Sequence, residues 1–178
     1  MLPEPWLRGP IEGVNPLVAP ALRTFEQTRE DLRQATEGLT SEQVWARPFG
    51  MTAVGFHLRH IAGSTERLCN YLDGEQLSEQ QIAAMKREDE PGATLEELLT
   101  GVDAALDKAA AQFRGLDPAT YSDPRGVGRK MLPTTVMGLV LHIAEHTFRH
   151  VGQAVAAAKL VRAVEGGAGA RAQRHSTV

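Results

Sequence analysis

Four long segments of the chain repeat apolar residues at the spacing of an α-helix, and this pattern limits the fold more than any other feature. The segments begin at Asn15–Pro16, Thr52, Thr94 and Thr134 or Thr135, and they end near Gly38, Gly74, Leu116 and Val161, respectively. Asparagine and threonine cap the free amides at helix starts, and glycine commonly ends helices. Because no segment is rich in strand signals, the four helices predict an all-α bundle.

Shorter elements lie between the long helical segments. The stretches "TSEQVWA" and "SEQQIAAMKRED" predict short helical turns. Prolines and glycines between Leu116 and Pro133 predict a long loop with room for a short hairpin. We therefore divide the chain into an N-terminal extension (1–14), one bundle domain (15–162) and a disordered tail (163–178), in which His175 is incidental.

Composition and charge exclude several classes of protein. The chain has 178 residues, of which 42% are hydrophobic and 23% charged, as expected for one soluble domain. A formal net charge of −3 supplies no basic patch for nucleic acid. The sequence shows neither a secretory signal nor an apolar run long enough to span a membrane. The single cysteine, Cys69, cannot form an internal disulfide. We expect a cytoplasmic protein that binds neither nucleic acid nor membrane.

The last helical segment carries three of the six histidines of the chain, in the stretch "HIAEHTFRHVGQ". Residues four apart lie one turn apart on the same helix face, so two imidazoles at this spacing can bind one ion. His146 and His150 fall on the inward face of this segment, and His142 lies towards its edge. Buried imidazoles need polar partners, and a shared metal ion can supply one.

The second helical segment offers a third ligand, from His57 or His60. Three imidazoles leave a coordination position open for water or substrate, whereas structural zinc sites are usually closed by a fourth protein ligand. Cys69 lies on a different side of this segment from His60, so we do not expect a fourth ligand there. A single histidine is more often a hydrogen-bonded core residue, but the repeated spacing and the second pair favour a metal site.

Two stretches, "GFHLRHIAGSTERLCNYLDGEQLSEQ" and "LHIAEHTFRHVGQAV", together resemble the DinB/YfiT-like superfamily of metalloenzymes. The resemblance spans the chain from Pro16 to Leu160. It implies a four-helix up-down-down-up bundle, often dimeric, in which three histidines hold a divalent metal. On this chain the residues that match those ligands are His60, His146 and His150.

The residues around the matched ligands differ in part from the superfamily motif. Arginine usually follows the last ligand, whereas this chain has Val151 there and Arg149 on the other side of the ligand. His57 and His142 flank the ligands and are expected to orient them or to line the pocket, with core packing an equal alternative for His57. Gln153 lies one turn beyond the last ligand, where it can hydrogen-bond within the site or support helix packing.

These features predict a metal-dependent enzyme that acts on a small molecule, with no catalytic residue identified. Imidazole ligands favour Zn or Ni over Mg or Ca. The resemblance implies an S-transferase that uses a low-molecular-weight thiol such as bacillithiol, mycothiol or glutathione, ahead of a hydrolase. It also implies a homodimer. The alternative from another class is a non-catalytic metal-binding or dimerisation protein of the stress-response type.

Overall fold

The computed structural model describes residues 3–175, with side chains through Val164, as a predominantly helical chain. In chain order the elements are α1 (Ala19–Thr36), α2 (Ser41–Trp45), α3 (Val54–Leu72), α4 (Glu79–Lys86), α5 (Leu95–Arg114), β1 (Pro124–Val127), β2 (Leu132–Thr135) and α6 (Val136–His175). Short 3-10 turns cover Pro5–Leu7, Pro48–Gly50 and Pro118–Thr120. The four long helices and the two short ones that the sequence predicts are confirmed.

Polar side chains cap the starts of α5 and α6. The N-cap residue of α1 is Val18, which offers no side-chain hydrogen bond, so this helix begins later than the expected start at Asn15–Pro16. Asn15 Oδ1 accepts the backbone N–H of Leu17 at 2.9 Å in the turn that leads into α1. Thr94 and Glu97 form a reciprocal capping box at the start of α5. Thr135 Oγ1 accepts the backbone N–H of Gly138 at 3.1 Å at the start of α6. Each cap satisfies a backbone amide that has no partner within its helix.

Helix α3 begins differently from the prediction. Its N-cap residue is Ala53, which offers no side-chain hydrogen bond, so the expected cap at Thr52 is wrong. Ala53 and Val54 are both fully buried, and the helix therefore starts where the chain enters the core. Its end agrees with the sequence, because Gly74 adopts the left-handed conformation (φ +84°) directly after the last turn.

The four long helices enclose one apolar core. α3 packs against both α5 and α6, and α1 packs against α6 and α5. Leu58 and Ile61 of α3, Leu106 of α5 and Ile143 of α6 have no exposed surface. Burying a side chain of this kind stabilises a fold by about 1.5–3 kcal/mol. Core packing therefore fixes any group that α3 presents to α6.

A small hairpin joins α5 to α6. β1 and β2 are antiparallel, and their register pairs Pro124 with Thr135 and Val127 with Leu132. The hairpin for which the sequence left room is thus present. It adds a two-stranded sheet to a fold expected to be all-α, because pairing satisfies the backbone groups of a proline-rich segment that cannot continue a helix.

Helix α6 is longer than the sequence predicts. The expected end near Val161 is wrong, since the helix continues through His175. The predicted disorder of 163–178 stays a prediction. The rest of the expected tail, 176–178, lies outside the described residues. Within the described part of the chain, neither α6 nor any other helix is long and apolar enough to cross a membrane.

The N-terminal extension packs against α1. Ile11 and Val14 are partly buried against the apolar core. Arg8 donates hydrogen bonds to both carboxylate oxygens of Glu30, at 2.7 and 2.9 Å. The extension is therefore attached to the bundle surface along this helix.

Trp45 holds α2 over the start of α3. Its indole Nε1 donates to the carbonyl oxygen of Ala93 at 2.8 Å, and the Arg59 guanidinium lies 4.7 Å from its ring centroid. The ring packs directly on Gly55, where an added Cβ would lie 2.8 Å from the indole carbons. Glycine is required here for this close approach, although it weakens a helix.

We predict that Gly55→Ala destabilises the protein by about 1–3 kcal/mol, because the added methyl group overpacks against Trp45. The matched control is Gly101→Ala in α5, where a Cβ would meet no atom within 4 Å. That substitution should stabilise the protein by about 0.5–1 kcal/mol. Urea unfolding of the three proteins measures both effects, and equal stabilisation by the two alanines would contradict the packing of Trp45 on α3.

Candidate metal centre

Three histidines from two helices converge where α3 contacts α6. One ring nitrogen each from His60, His146 and His150 lies within 4.8 Å of the other two. Nε2 of His60 is 3.0 Å from Nε2 of His146, and the ring centroids of His60 and His150 are 4.3 Å apart. The cluster, which we call the three-histidine cluster, thus joins side chains 86 positions apart in the sequence.

The helical repeat of α6 explains the position of two cluster members. His146 and His150 are four residues apart and therefore share one face of the helix. Ile143 and Thr147 beside them are buried, whereas Arg149 is exposed. The two imidazoles consequently lie at the edge of the buried face of α6, where they are half-buried and in contact with solvent.

Burial keeps imidazoles at the site neutral. Desolvation is the largest cause that lowers the pKa of His57, His146 and His150 from 6.5 to about 4, and the nearby His60 adds to the effect in each case. A neutral imidazole has one nitrogen with a free lone pair, which is the form that binds metal ions. At neutral pH these residues therefore offer ligand nitrogens rather than positive charges.

A buried carboxylate that the sequence did not single out contacts the cluster. Glu88, in the turn after α4, places Oε2 2.6 Å from Nδ1 of His60. Its other oxygen accepts a hydrogen bond from Arg67 Nη1 at 2.6 Å, and the side chains of this ion pair are only 6% and 9% exposed. In the sequence Glu88 belongs to the charged run "KREDE", which is typical of a solvated loop. Only the tertiary contact with α3 distinguishes it from its neighbours.

His57 is buried directly behind the cluster. It is 5% exposed, and its Nδ1 lies 3.1 Å from Nδ1 of His150. Phe56 stacks on His60 with ring centroids 5.3 Å apart and an interplanar angle of 15°. His57 therefore packs in the interior and also contacts a cluster member, and its role in orienting a ligand stays a prediction.

Three other residues named in the sequence analysis lie outside the cluster. His142 is on the exposed side of α6, 3.4 Å from the Glu145 carboxylate. Val151 is buried at 2% exposure, so the position where the motif usually has arginine serves core packing. Burial raises the pKa of the Cys69 thiol to about 12, which leaves it protonated and unsuited to bind metal as a thiolate.

A cavity of about 480 Å³ adjoins the cluster through His57, and its wall also includes Arg149 and Gln153. Gln153 is exposed, so the structure places it on the cavity wall rather than between packed helices. Arg149 is half exposed and pairs with Glu145. The cavity thus presents polar side chains within one helical turn of His150.

The donor set fits a divalent cation of the zinc type. A tetrahedral site with Zn–N distances of about 2.0–2.1 Å separates its nitrogens by about 3.3 Å. The separation of 3.0 Å between His60 and His146, and the 4.8 Å that bounds the whole cluster, therefore require only small ring rotations. The His60 side chain is 19% exposed, so the centre is accessible from solvent. Three imidazoles would leave one position of a tetrahedral site open.

Comparison with known proteins identifies the family of the chain. The chain matches the family model of the DinB superfamily over residues 24–154, a range that includes all three clustered histidines. No curated protein matches the chain. Since the family match covers more than half of the 178 residues, the chain belongs to the DinB superfamily.

Proposed function

We propose that the protein is a metal-dependent enzyme that acts on a small molecule, with His60, His146 and His150 as the protein ligands of one divalent cation. The observation that carries this proposal is the convergence of three imidazoles within 4.8 Å at the contact of α3 and α6. The DinB superfamily is metal-binding in general, which supports the same function.

Zinc or nickel is the proposed cation. Imidazole nitrogens suit both metals better than they suit magnesium or calcium, which favour oxygen ligands. Such a cation supplies Lewis acidity, which lowers the pKa of a bound water or thiol so that a nucleophile exists at neutral pH. The lowered pKa values of His146 and His150 support this role, because protons do not compete for these nitrogens at neutral pH.

Within this proposal, transfer to a low-molecular-weight thiol is the first candidate reaction and hydrolysis is the second. The cavity of about 480 Å³ beside His57 is of a size that suits a small polar substrate. Arg149 and Gln153 on its wall supply hydrogen-bond donors for such a molecule. The cytoplasmic location expected from the sequence belongs to the same proposal.

One observation favours the non-catalytic alternative. Val151 replaces the arginine that usually follows the last ligand, and its burial removes any polar contact at that position. A metal-binding protein without a reaction could hold a cation with the same three-histidine cluster. The two functions differ in whether an external ligand can occupy the open coordination position.

We predict that His146→Ala abolishes stable metal binding and that His142→Ala leaves it unchanged. His142 is the matched control because it lies one turn away on the same helix and is exposed. Its ring centroid is 5.4 Å from that of His146, but no nitrogen of His142 belongs to the cluster. Loss of metal in His142→Ala would give this residue the orienting role expected from the sequence. Each protein is stripped with a chelator, reloaded with zinc or nickel, and measured by elemental analysis. Wild type and the control should hold about one ion per chain. Equally low metal content in wild type and His146→Ala would refute the ligand assignment.

We predict that a low-molecular-weight thiol binds the cobalt-loaded protein at the open position. A thiolate is a soft ligand, and its coordination to cobalt adds an intense absorption band in the near ultraviolet. Glutathione, bacillithiol and mycothiol are each titrated, with S-methylglutathione as the control that cannot form a thiolate. A spectrum unchanged by all three thiols would contradict the S-transferase function and would leave hydrolysis and the non-catalytic alternative.

We further propose that the four long helices form an up-down-down-up bundle. Two copies of this bundle would pair through an apolar face formed by α1 and α6. Leu141 and Phe148 on α6 are 68% and 44% exposed, and Leu17, just before α1, is 66% exposed. These side chains line a groove of about 620 Å³ between the two helices. Contiguous exposed apolar surface of this kind marks interaction sites, and the resemblance to dimeric proteins supports a second copy as the occupant.

We predict that Leu141→Asp converts a dimer to a monomer in sedimentation equilibrium, because a buried unpaired carboxylate is costly in an apolar interface. Leu132→Asp is the matched control, since this leucine is 59% exposed but lies on the hairpin outside the groove. A wild-type protein that sediments as a monomer at micromolar concentration would contradict the proposal.

A further inference from the structure

Glu88 is a buried titratable group to which the proposed function gives no role. We propose that it is a positioning residue of the three-histidine cluster, which holds the His60 proton on Nδ1 and leaves Nε2 bare towards His146. The inference rests on the proposed function, because the bare nitrogen is the atom that a cation would bind.

The direction of each hydrogen bond follows from the chemistry of the partners. A carboxylate only accepts hydrogen bonds, and a guanidinium only donates them. Arg67 occupies Oε1 of Glu88, and Oε2 lies 2.6 Å from Nδ1 of His60. Nδ1 of His60 must therefore carry the proton and donate it to Glu88. A neutral imidazole with its proton on Nδ1 has a free lone pair on Nε2.

The contact between His60 and His146 is consistent with this assignment. Their Nε2 atoms are 3.0 Å apart, a distance at which one nitrogen donates and the other accepts. Because Nε2 of His60 accepts, the proton in this contact belongs to His146. Glu88 thereby determines which atom His60 presents to the cluster, although it lies on the far side of that ring.

The face of α3 that carries His60 has space for the Glu88 carboxylate. His60, Gly63 and Arg67 are spaced three and four residues apart and lie on one helix face. A Cβ added at Gly63 would lie 2.5 Å from Oε1 of Glu88 and 2.8 Å from Nη1 of Arg67. The missing side chain at Gly63 therefore lets the ion pair lie directly against α3 beside His60.

A second arginine of α3 fixes the backbone that carries Glu88. Arg59 donates through Nη1 to the carbonyl oxygens of Arg87 at 3.0 Å, of Glu88 at 3.4 Å and of Glu90. Its guanidinium also lies over the Trp45 ring. The turn that follows α4 is thus anchored to α3 by the residue next to His60, which fixes the direction in which the carboxylate points.

The test is the Glu88→Gln variant, because glutamine preserves shape but changes one acceptor to a donor. Arg67 only donates, so the new amide oxygen must face Arg67 and the new NH₂ must face His60. Nδ1 of His60 then has to accept, and its proton moves to Nε2. Long-range ¹⁵N–¹H correlation spectra of metal-free, histidine-labelled protein report which nitrogen carries the proton, with His60 assigned from the His60→Ala spectrum.

We expect Nδ1–H at His60 in the wild type and Nε2–H in Glu88→Gln. The matched control is Glu90→Gln in the same turn, which removes an exposed carboxylate that pairs with Arg87 and should leave the His60 proton on Nδ1. Arg67→Lys disrupts the buried ion pair but retains the carboxylate, so it should lower the urea midpoint without moving the proton. A wild type with Nε2–H, or a Glu88→Gln protein that keeps Nδ1–H, would overturn the proposal.

Zinc affinity, measured by competition with a chromogenic chelator, tests the consequence for the metal. Glu88→Gln should bind zinc about 10–100-fold more weakly than wild type, as expected for loss of a hydrogen bond that supports a ligand. Glu90→Gln should bind as wild type does. A proton that moves without any loss of affinity would overturn the positioning role. If the wild type binds neither zinc nor nickel, the proposed function fails, and the spectra still decide whether Glu88 fixes the His60 proton.

Discussion

The close packing of α3 against α6 is the constraint on which the rest of the structure depends. Leu58 and Ile61 on one helix and Ile143 on the other are fully buried, and interiors packed at this density permit little sliding or rotation. This packing brings His60 to His146 across 86 positions of sequence. A cluster that rests on core packing holds its ring nitrogens in place, which would lower the entropy cost of binding the proposed cation.

The position of the cluster at the edge of the apolar core determines the protonation state and the accessibility of its imidazoles. Fully exposed imidazoles would titrate near their usual pKa of 6.5, whereas burial lowers the pKa of His146 and His150 to about 4. Complete burial would prevent the small molecule that we propose as substrate from reaching the site. Half-burial leaves the nitrogens neutral and the open side in contact with water. Glu88 and His57 complete the site from the buried side, each contacting a different member of the cluster.

The sequence predicted what local periodicity determines. Apolar spacing located the helices, and the four-residue repeat placed His146 and His150 on one face. It did not choose between His57 and His60, whose rotations both put them at one edge of the apolar face; the resemblance made that choice. Glu88 was missed because its burial depends on two residues of α3, Gly63 and Arg67, that are distant in sequence. A charged run near a helix end does not by itself indicate such a contact. Local signals alone also placed the end of α6 too early.

The most direct test is a crystal structure of the metal-loaded protein with anomalous diffraction measured at the zinc or nickel absorption edge. We expect one strong anomalous peak per chain, bonded to Nε2 of His60 and to one ring nitrogen each of His146 and His150. We also expect Glu88 to contact His60 from the opposite side of the ring. A peak bound by other residues, or none at saturating metal with the three imidazoles still in contact, would contradict the ligand assignment.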